Sequence, residues 1–248
     1  MDAYPQEPVA HGAGGGGRKW LGLVAILVLV VVVAAAGAYF FFAKKDSPEK
    51  LQLEKPATPV TGSPASDVDF VGKWSVTTGS EAGYRVREKL ARLPASSDAV
   101  GRTSDIKGGF TVAKEGDNLV ASDIKIEVNM ASLKSDEDRR DNRMKTSGLE
   151  TAKYPTATFT ATEPAKISLR DAQSGRGSAE VTGDLTLHGT TKKVTIPLDI
   201  QVSGSKIEIA GAKLVVMADY NITPPDVAGI VTVEPSGTLE FKVIFARA

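Results

Sequence analysis

The chain contains two histidines, and only His188 lies in a segment whose pattern predicts regular structure. It stands in GDLTLHGTTKKVTIPLDIQV, residues 183–202. A serine, histidine and aspartate triad would need it as the general base, because His11 lies in a glycine-rich tail. No nucleophile-elbow sequence accompanies it, and the chain has no cysteine nucleophile. We therefore predict no catalytic residue and no enzymatic activity.

The alternation around His188 predicts a hairpin instead. Leu185 and Leu187 alternate with polar residues before His188, and the same alternation of apolar and polar residues resumes at Val194. His188 thus falls on the polar face beside Gly189, as in a tight turn between two strands. We expect a surface turn residue, whose replacement by alanine changes the free energy of unfolding by less than ~0.5 kcal/mol.

The acidic stretch SDEDRRD, residues 135–141, invites comparison with a calcium loop. An EF-hand would need a glycine and an oxygen ligand where the chain has Asp141 and Arg140. The spacing of Ser135 and Asp138 instead resembles a capping box, and basic residues follow the acidic ones. We predict a short helix here and no metal site.

Composition excludes further classes of protein. The 30 basic and 30 acidic side chains give a formal net charge of +0, and no basic stripe marks a nucleic-acid surface. The absence of cysteine removes disulfides and thiolate metal sites. We expect no nucleic-acid partner and no cofactor, and the sequence names no protein partner.

Residues 20–43 form an uncharged apolar run. As a helix it would span roughly 34 Å, enough for a bilayer core of ~30 Å. A cleaved signal peptide with an Ala36-x-Ala38 site is the alternative, but the run is long for one. We predict an uncleaved single transmembrane helix, with residues 1–19 as a disordered glycine-rich tail inside and the C-terminal part outside the cell membrane.

The remainder divides into a proline-rich linker, 44–69, and one domain, 70–248. The domain reads as β nearly throughout, with turns rich in Gly, Asn, Asp or Ser. LVASDIKIEVNM, residues 119–130, alternates apolar and charged side chains. This pattern indicates a sandwich or an up-and-down barrel, and the short helix would cover one opening of a barrel.

The apolar strand faces predict the interior of such a barrel. In most β domains this face is packed core, but a barrel of about eight strands can also hold one small apolar ligand. We expect the interior to be lined by Tyr84, Val86, Phe110, Val120, Ile124, Ile126, Val128, Met130, Phe159, Leu185 and Leu187.

Five stretches of the domain carry a resemblance to a known family. They are WSVTTGSEAGYRVREKL (74–90), VGRTSDIKGGFTV (100–112), the segment 124–159 with its RRD and KYPTATF, GDLTLHGTTKKVTIPLDI (183–200) and ADYNITPPDV (218–227). Together they resemble the YceI-like, polyisoprenoid-binding, lipocalin-like domains, in a membrane-anchored, actinobacterial-style branch. The resemblance implies an extended antiparallel barrel that holds an isoprenoid or similar lipid chain in an exported protein. One departure is Glu88, where many members carry a histidine.

These observations lead to one functional prediction and one alternative. The prediction is a membrane-tethered, extracytoplasmic binding protein for an isoprenoid or other lipid-like apolar ligand. Arg85 or Arg102 near the mouth of the barrel would meet a pyrophosphate head group. The alternative is a non-enzymatic structural or interaction β domain at the cell envelope, with a fully packed core.

The predicted anchor can be tested directly. The full chain should stay with membranes after carbonate washing, because residues 20–43 are long and apolar enough to span them. Protease added to spheroplasts should cut near Pro56–Pro64 and release a soluble domain. A mature N-terminus at Tyr39 would refute the uncleaved anchor.

Overall fold

The computed structural model of the protein describes residues 47–53, 69–91, 96–226 and 229–248. Over these ranges the strands are β1 (Gly72–Val76), β2 (Glu81–Leu90), β3 (Ser97–Thr103), β4 (Ile106–Glu115), β5 (Asn118–Asn129), β6 (Lys134–Ser135), β7 (Thr156–Ala161), β8 (Ala165–Ser168), β9 (Arg176–Leu187), β10 (Thr190–Ser203), β11 (Lys206–Val216) and β12 (Val231–Arg247). The helices are α1 (Asp138–Met144) and α2 (Leu169–Gln173), with 3-10 turns at Met130–Ser132 and Met217–Tyr220.

The predicted tail and transmembrane helix, residues 1–43, lie outside the described residues. In the ranges that are described, no helix combines the length and the apolar character that crossing a bilayer requires. The linker predicted at 44–69 is described only at residues 47–53 and at Asp69.

The strands form one antiparallel sheet that closes on itself. Neighbouring strands run in the order β1-β4-β5-β7-β9-β10-β11-β12, and β1 also pairs with β12, which completes a ring of eight. The C-terminal end of β12 pairs with β1, and the rest of β12 pairs with β2. β3 pairs with β2 in the same way that β4 pairs with β1. β2 therefore extends the barrel wall beyond β1, and β3 extends it beyond β4. The predicted antiparallel barrel with a short helix is confirmed.

A β-bulge in β5 changes which side chains face inward. Gly109 pairs with Lys125 and Thr111 with Ser122, so β5 carries one residue more than β4 between these pairs. Asp123 lies there with a φ of +54°. An extra residue inverts the alternation of the strand, because side chains point to opposite faces with a period of two. The prediction that the apolar side chains of residues 120–130 share a single face is therefore wrong for Val120, which precedes the bulge.

The capping box predicted at the start of α1 does not form. The N-cap residue is Glu137, and its side chain makes no capping hydrogen bond. Ser135 instead donates from its hydroxyl and from its backbone N–H to Oδ1 of Asp141, at 2.7 and 3.0 Å. A capping box would need the Ser135 hydroxyl to accept from the backbone N–H of Asp138, but the N–H from which it accepts is that of Glu137, at 3.3 Å.

Two hydrophobic clusters of buried residues occupy the interior. The Trp74 cluster comprises Phe70, Trp74, Ala82, Ile106, Phe110, Val112, Leu119, Ala172, Ile207, Val243 and Phe245. The Leu187 cluster comprises Tyr84, Met130, Leu133, Met144, Ala157, Leu185, Leu187, Val215, Met217, Tyr220 and Ile222. Val128 packs against both of them, so it lies between the two.

Trp74 is almost fully buried in the Trp74 cluster. It is 1% exposed, and its indole Nε1 donates to the Phe70 carbonyl at 2.9 Å. Burial of so large an aromatic side chain, with its one polar atom satisfied, is a major contribution to stability. It also fixes β1, the strand that completes the ring.

We expect Trp74→Ala to lower the free energy of unfolding by about 3–5 kcal/mol, because it leaves a large cavity. Urea unfolding followed by far-UV circular dichroism measures the loss, since the variant lacks the domain's tryptophan fluorescence. Val71→Ala is the matched control: Val71 is 44% exposed, and its truncation should cost less than ~0.5 kcal/mol. Equal losses in the two variants would contradict this account of Trp74.

Candidate functional site

An apolar cavity runs through the barrel from one cluster to the other. It encloses about 240 Å³. Phe70 and Ala172 line it on the side of the Trp74 cluster, and Leu133 and Leu149 line it on the side of the Leu187 cluster. Among the described residues that line it, the polar ones are Tyr84, Thr158, Lys166, Lys213 and Glu240.

Most of the side chains predicted to line the interior do line this cavity. They are Tyr84, Phe110, Ile124, Ile126, Val128, Met130, Phe159, Leu185 and Leu187. Val120 is buried but does not line it, because the bulge places Leu119 and Ala121 inward instead. Val86 packs against the Leu187 cluster without reaching the cavity.

Sequence reasoning missed many of the lining residues, and two examples show why. Strands β10–β12 contribute Ile196, Leu198, Ile200, Val202, Ile207, Ile209, Leu239, Phe241, Val243 and Phe245. Their alternation with polar residues is a signal that could have identified them. Leu149 follows α1 in an irregular segment with no periodic pattern, so only the tertiary structure reveals it.

Arg85 and Arg102 do not lie at the mouth of the cavity. Each alternates along its strand with residues of the inward face, so both point to the outer face of the barrel. Arg85 donates to both carboxylate oxygens of Glu240 at 3.2 Å, and Arg102 contacts the same carboxylate at 3.1 Å. Asp98 lies 3.3 Å from Arg85. The head-group role predicted for these arginines is therefore wrong.

A short segment of the predicted linker covers this outer cluster. Arg85 donates to the Pro48 carbonyl at 2.7 Å, and Arg102 donates to the Glu49 carbonyl. The Ser47 hydroxyl donates to the Asp98 carbonyl at 2.9 Å. With these contacts Glu240 is only 2% exposed, although it faces outward. Both arginines are thus engaged by an ion-pair network and by the chain's own backbone, although Nε of Arg102 has no partner among the described residues.

A second polar network adjoins the cavity on the inner side of β2. Glu88 shares the inward face of that strand with Tyr84, and its Oε1 lies 2.8 Å from Nη2 of Arg140 on α1. Arg140 also contacts Oδ1 of Asp136 at 2.6 Å. Asp141, the next residue of α1, is buried and accepts the two hydrogen bonds from Ser135. Sequence reasoning noted Glu88 and Arg140 but not that they pair.

Tyr84 lies between this network and the apolar cavity. Its ring packs over Gly101, where a Cβ would come within 2.4 Å of the ring. Its hydroxyl is buried and has no hydrogen-bond partner among the described residues. Burial, the largest effect, raises the pKa of that hydroxyl above its ordinary value, and the nearby carboxylates add to it while Arg140 opposes it. The hydroxyl therefore remains protonated and is available as a donor.

His188 occupies the predicted hairpin turn but is not a surface residue. The β9–β10 turn places it at a φ of +52° with Gly189 at +72°, as a tight two-residue hairpin requires. The ring is buried, with Nε2 2.7 Å from Oε2 of Glu150 and Nδ1 3.1 Å from the Tyr220 carbonyl. The Tyr154 ring packs against it at 4.3 Å. Both ring nitrogens are engaged, so neither is free to act as a general base.

These contacts tie three segments together beside the cavity. Glu150 is adjacent to Leu149, which lines the cavity, and Tyr220 belongs to the Leu187 cluster. His188 therefore fixes the segment after α1 against the Met217–Tyr220 turn. The prediction that His188 is a surface residue is wrong, because the sequence pattern shows the strand face and not what packs on it.

We expect His188→Asn to lower the free energy of unfolding by about 1–3 kcal/mol, because two buried hydrogen bonds are lost. Asparagine suits a left-handed turn position, so the turn itself is preserved. Gly204→Asn in the β10–β11 turn is the control, since a Cβ there meets nothing within 4 Å. Chemical denaturation measures both variants, and a similar small change in each would contradict the proposed tie.

No group of three or more His, Cys, Asp or Glu side chains that could hold a metal ion occurs in the ranges 47–53, 69–91, 96–226 and 229–248. The acidic residues that invited a calcium interpretation instead pair with Arg140 and Ser135. Two buried polar atoms of this region, Oδ2 of Asp141 and the hydroxyl of Tyr84, have no hydrogen-bond partner among the described residues.

Two known proteins that are similar to this chain are UPF0312 proteins. A UPF0312 protein of Vibrio vulnificus is 31% identical over 129 residues, which cover 49% of this chain and 64% of that protein. A UPF0312 protein of Pseudomonas aeruginosa is 36% identical over 97 residues, covering 39% and 46%. The chain thus matches less than two thirds of the length of these relatives.

A solved structure is similar in fold. The polyisoprenoid binding domain from Saccharophagus degradans, implicated in plant cell wall breakdown, superposes with a TM-score of 0.54 at 18% identity, covering 72% of this chain and 99% of that one. At this identity the likeness concerns the fold alone. The family model of the YceI-like domain matches residues 74–245, well over half of the chain. The chain with this cavity-bearing barrel therefore belongs to the YceI-like domain family.

Proposed function

We propose that this protein binds an isoprenoid or another elongated, lipid-like molecule inside its barrel. The observation that carries the proposal is the apolar cavity between the Trp74 and Leu187 clusters. Its lining comes from strands all around the ring, as expected for a chain-shaped ligand lying along the barrel axis. The binding activity named for the Saccharophagus degradans domain supports the same class of ligand.

The energetics favour such a ligand. Each 100 Å² of apolar ligand surface removed from water contributes about 2.5 kcal/mol, before the cost of immobilising the ligand. The lining offers very few polar groups, so a ligand rich in hydroxyls or charges along its length would lose its hydration without compensation. An apolar chain has no such cost.

The alternative of a fully packed structural domain accounts less well for the interior. Protein cores contain few voids larger than a water molecule, whereas this cavity encloses about 240 Å³. An apolar cavity of ~150 Å³ already suffices to bind benzene. An empty space of this size would destabilise the barrel unless a ligand fills it.

We further propose that the domain acts by binding alone, tethered to the outer side of a membrane. The uncharged run at 20–43 supports the tether. The apolar lining supports binding without chemistry, because the ion pairs and His188 are engaged with other protein groups. The fractionation and protease experiments described above test the tether independently of the ligand.

We expect Val128→Trp to fill the middle of the cavity and exclude the ligand. Val128 lines the cavity between the two clusters, so the indole enters vacant space and the melting temperature should hold or rise. Lipid co-purifying with the full chain, extracted and quantified by mass spectrometry, should fall. If the interior were packed, the same change would cost ~1–3 kcal/mol or more.

Two further variants complete the experiment. Ile124→Trp enlarges a second lining residue and should behave like Val128→Trp. Lys125→Trp adds the same ring to a side chain that is 60% exposed on the same strand, so its lipid content should match the parent. Strong destabilisation of Val128→Trp, together with no lipid in the parent protein, would contradict the binding proposal.

A further inference from the structure

We infer that the cavity selects apolar molecules whose polar end is a neutral oxygen, an alcohol or a carbonyl, and rejects those that end in a phosphate. This inference rests on the proposed function and concerns the polar network beside Tyr84. The network is the place where a chain-shaped ligand would present its polar end, because Tyr84 lines the cavity there with a buried hydroxyl that has no partner among the described residues.

The first reason is the Tyr84 hydroxyl. The tyrosine is 7% exposed and lines the cavity, and its hydroxyl has no partner among the described residues. A buried donor without a partner destabilises the protein, and a ligand oxygen that accepts a hydrogen bond from it would remove this cost. Tyr220 also has a buried hydroxyl without a partner, but it does not line the cavity.

The second reason is the charge around that hydroxyl. The carboxylates of Glu88, Asp136 and Asp141 act on Tyr84 together with a single guanidinium, that of Arg140. Arg140 already contacts Glu88 at 2.8 Å and Asp136 at 2.6 Å. An anionic head group placed here would meet a net negative environment, while a neutral oxygen would not.

The third reason is where the other cations lie. Arg85 and Arg102 point outward and pair with Glu240. Lys213 is half-buried and lines the cavity, and its ammonium donates to the Thr195 carbonyl, whereas Lys134 is 74% exposed beside Asp141. The two described basic groups of the network beside Tyr84, Arg140 and Lys134, are therefore each paired with a carboxylate of that network.

Two ligands with the same hydrocarbon chain test the inference. Binding of radiolabelled geranylgeraniol and of geranylgeranyl phosphate is measured on the full chain in lipid nanodiscs. The signal that remains in Val128→Trp is subtracted as background, because that variant keeps the anchor and the nanodisc unchanged. The parent protein should bind the alcohol at least about tenfold more tightly than the phosphate.

Three variants assign the preference to named groups. Tyr84→Phe should weaken binding of the alcohol about five- to tenfold, as expected for one lost hydrogen bond. Tyr220→Phe, the matched loss of a buried hydroxyl outside the cavity, should leave both affinities unchanged. Glu88→Gln keeps the shape of the side chain and removes one negative charge beside Arg140. It should tighten binding of the phosphate and so reduce the difference between the affinities for the alcohol and the phosphate.

The outcomes are distinguishable. Equal or tighter binding of the phosphate by the parent would overturn the inference and leave the proposed function standing. So would a Tyr84→Phe variant that binds the alcohol as well as Tyr220→Phe does. If neither ligand binds above the Val128→Trp background, the proposed function fails and the inference falls with it.

Discussion

The pairing of β1 with β12 is the constraint on which the rest of the structure depends. It closes the sheet, removes the unpaired edges between these strands and gives the interior a fixed diameter. A ring of eight strands is just wide enough either to be filled by side chains or to hold one small ligand. The Trp74 cluster and the Leu187 cluster fill much of the interior, and the space between them becomes the cavity.

Closure also separates two sets of charges that look alike in the sequence. Arg85 and Glu88 are three residues apart on β2, so strand geometry sends them to opposite faces. Arg85 joins the outer network with Glu240 beneath residues 47–49, whereas Glu88 meets Arg140 on the inner side. The barrel wall thus separates an outer network around Glu240 from an inner network beside Tyr84 and the cavity.

The side of the barrel near α1 owes its shape to contacts between segments distant in sequence. His188, Glu150 and the Tyr220 carbonyl meet there, and Leu149 is positioned over the cavity by its neighbour in that contact. Buried polar contacts of this kind are costly if left half satisfied, so they specify one arrangement of the three segments. The same region holds Tyr84, which lines the cavity and whose buried hydroxyl has no partner among the described residues.

The sequence by itself determined the β character of the domain, the His188 turn and a part of the cavity lining, from Phe110 to Leu187. These follow from local alternation with a period of two and from the glycine beside the turn, which act over a few residues. Only the tertiary structure decided that Val120 gives way to Leu119, since the bulge at Asp123 shows in the pairing of β4 with β5 and not in the pattern. It also decided that Arg85 and Arg102 are sealed by Glu240 and that His188 is buried, because burial and ion pairing join residues up to 155 positions apart, beyond the reach of any local pattern.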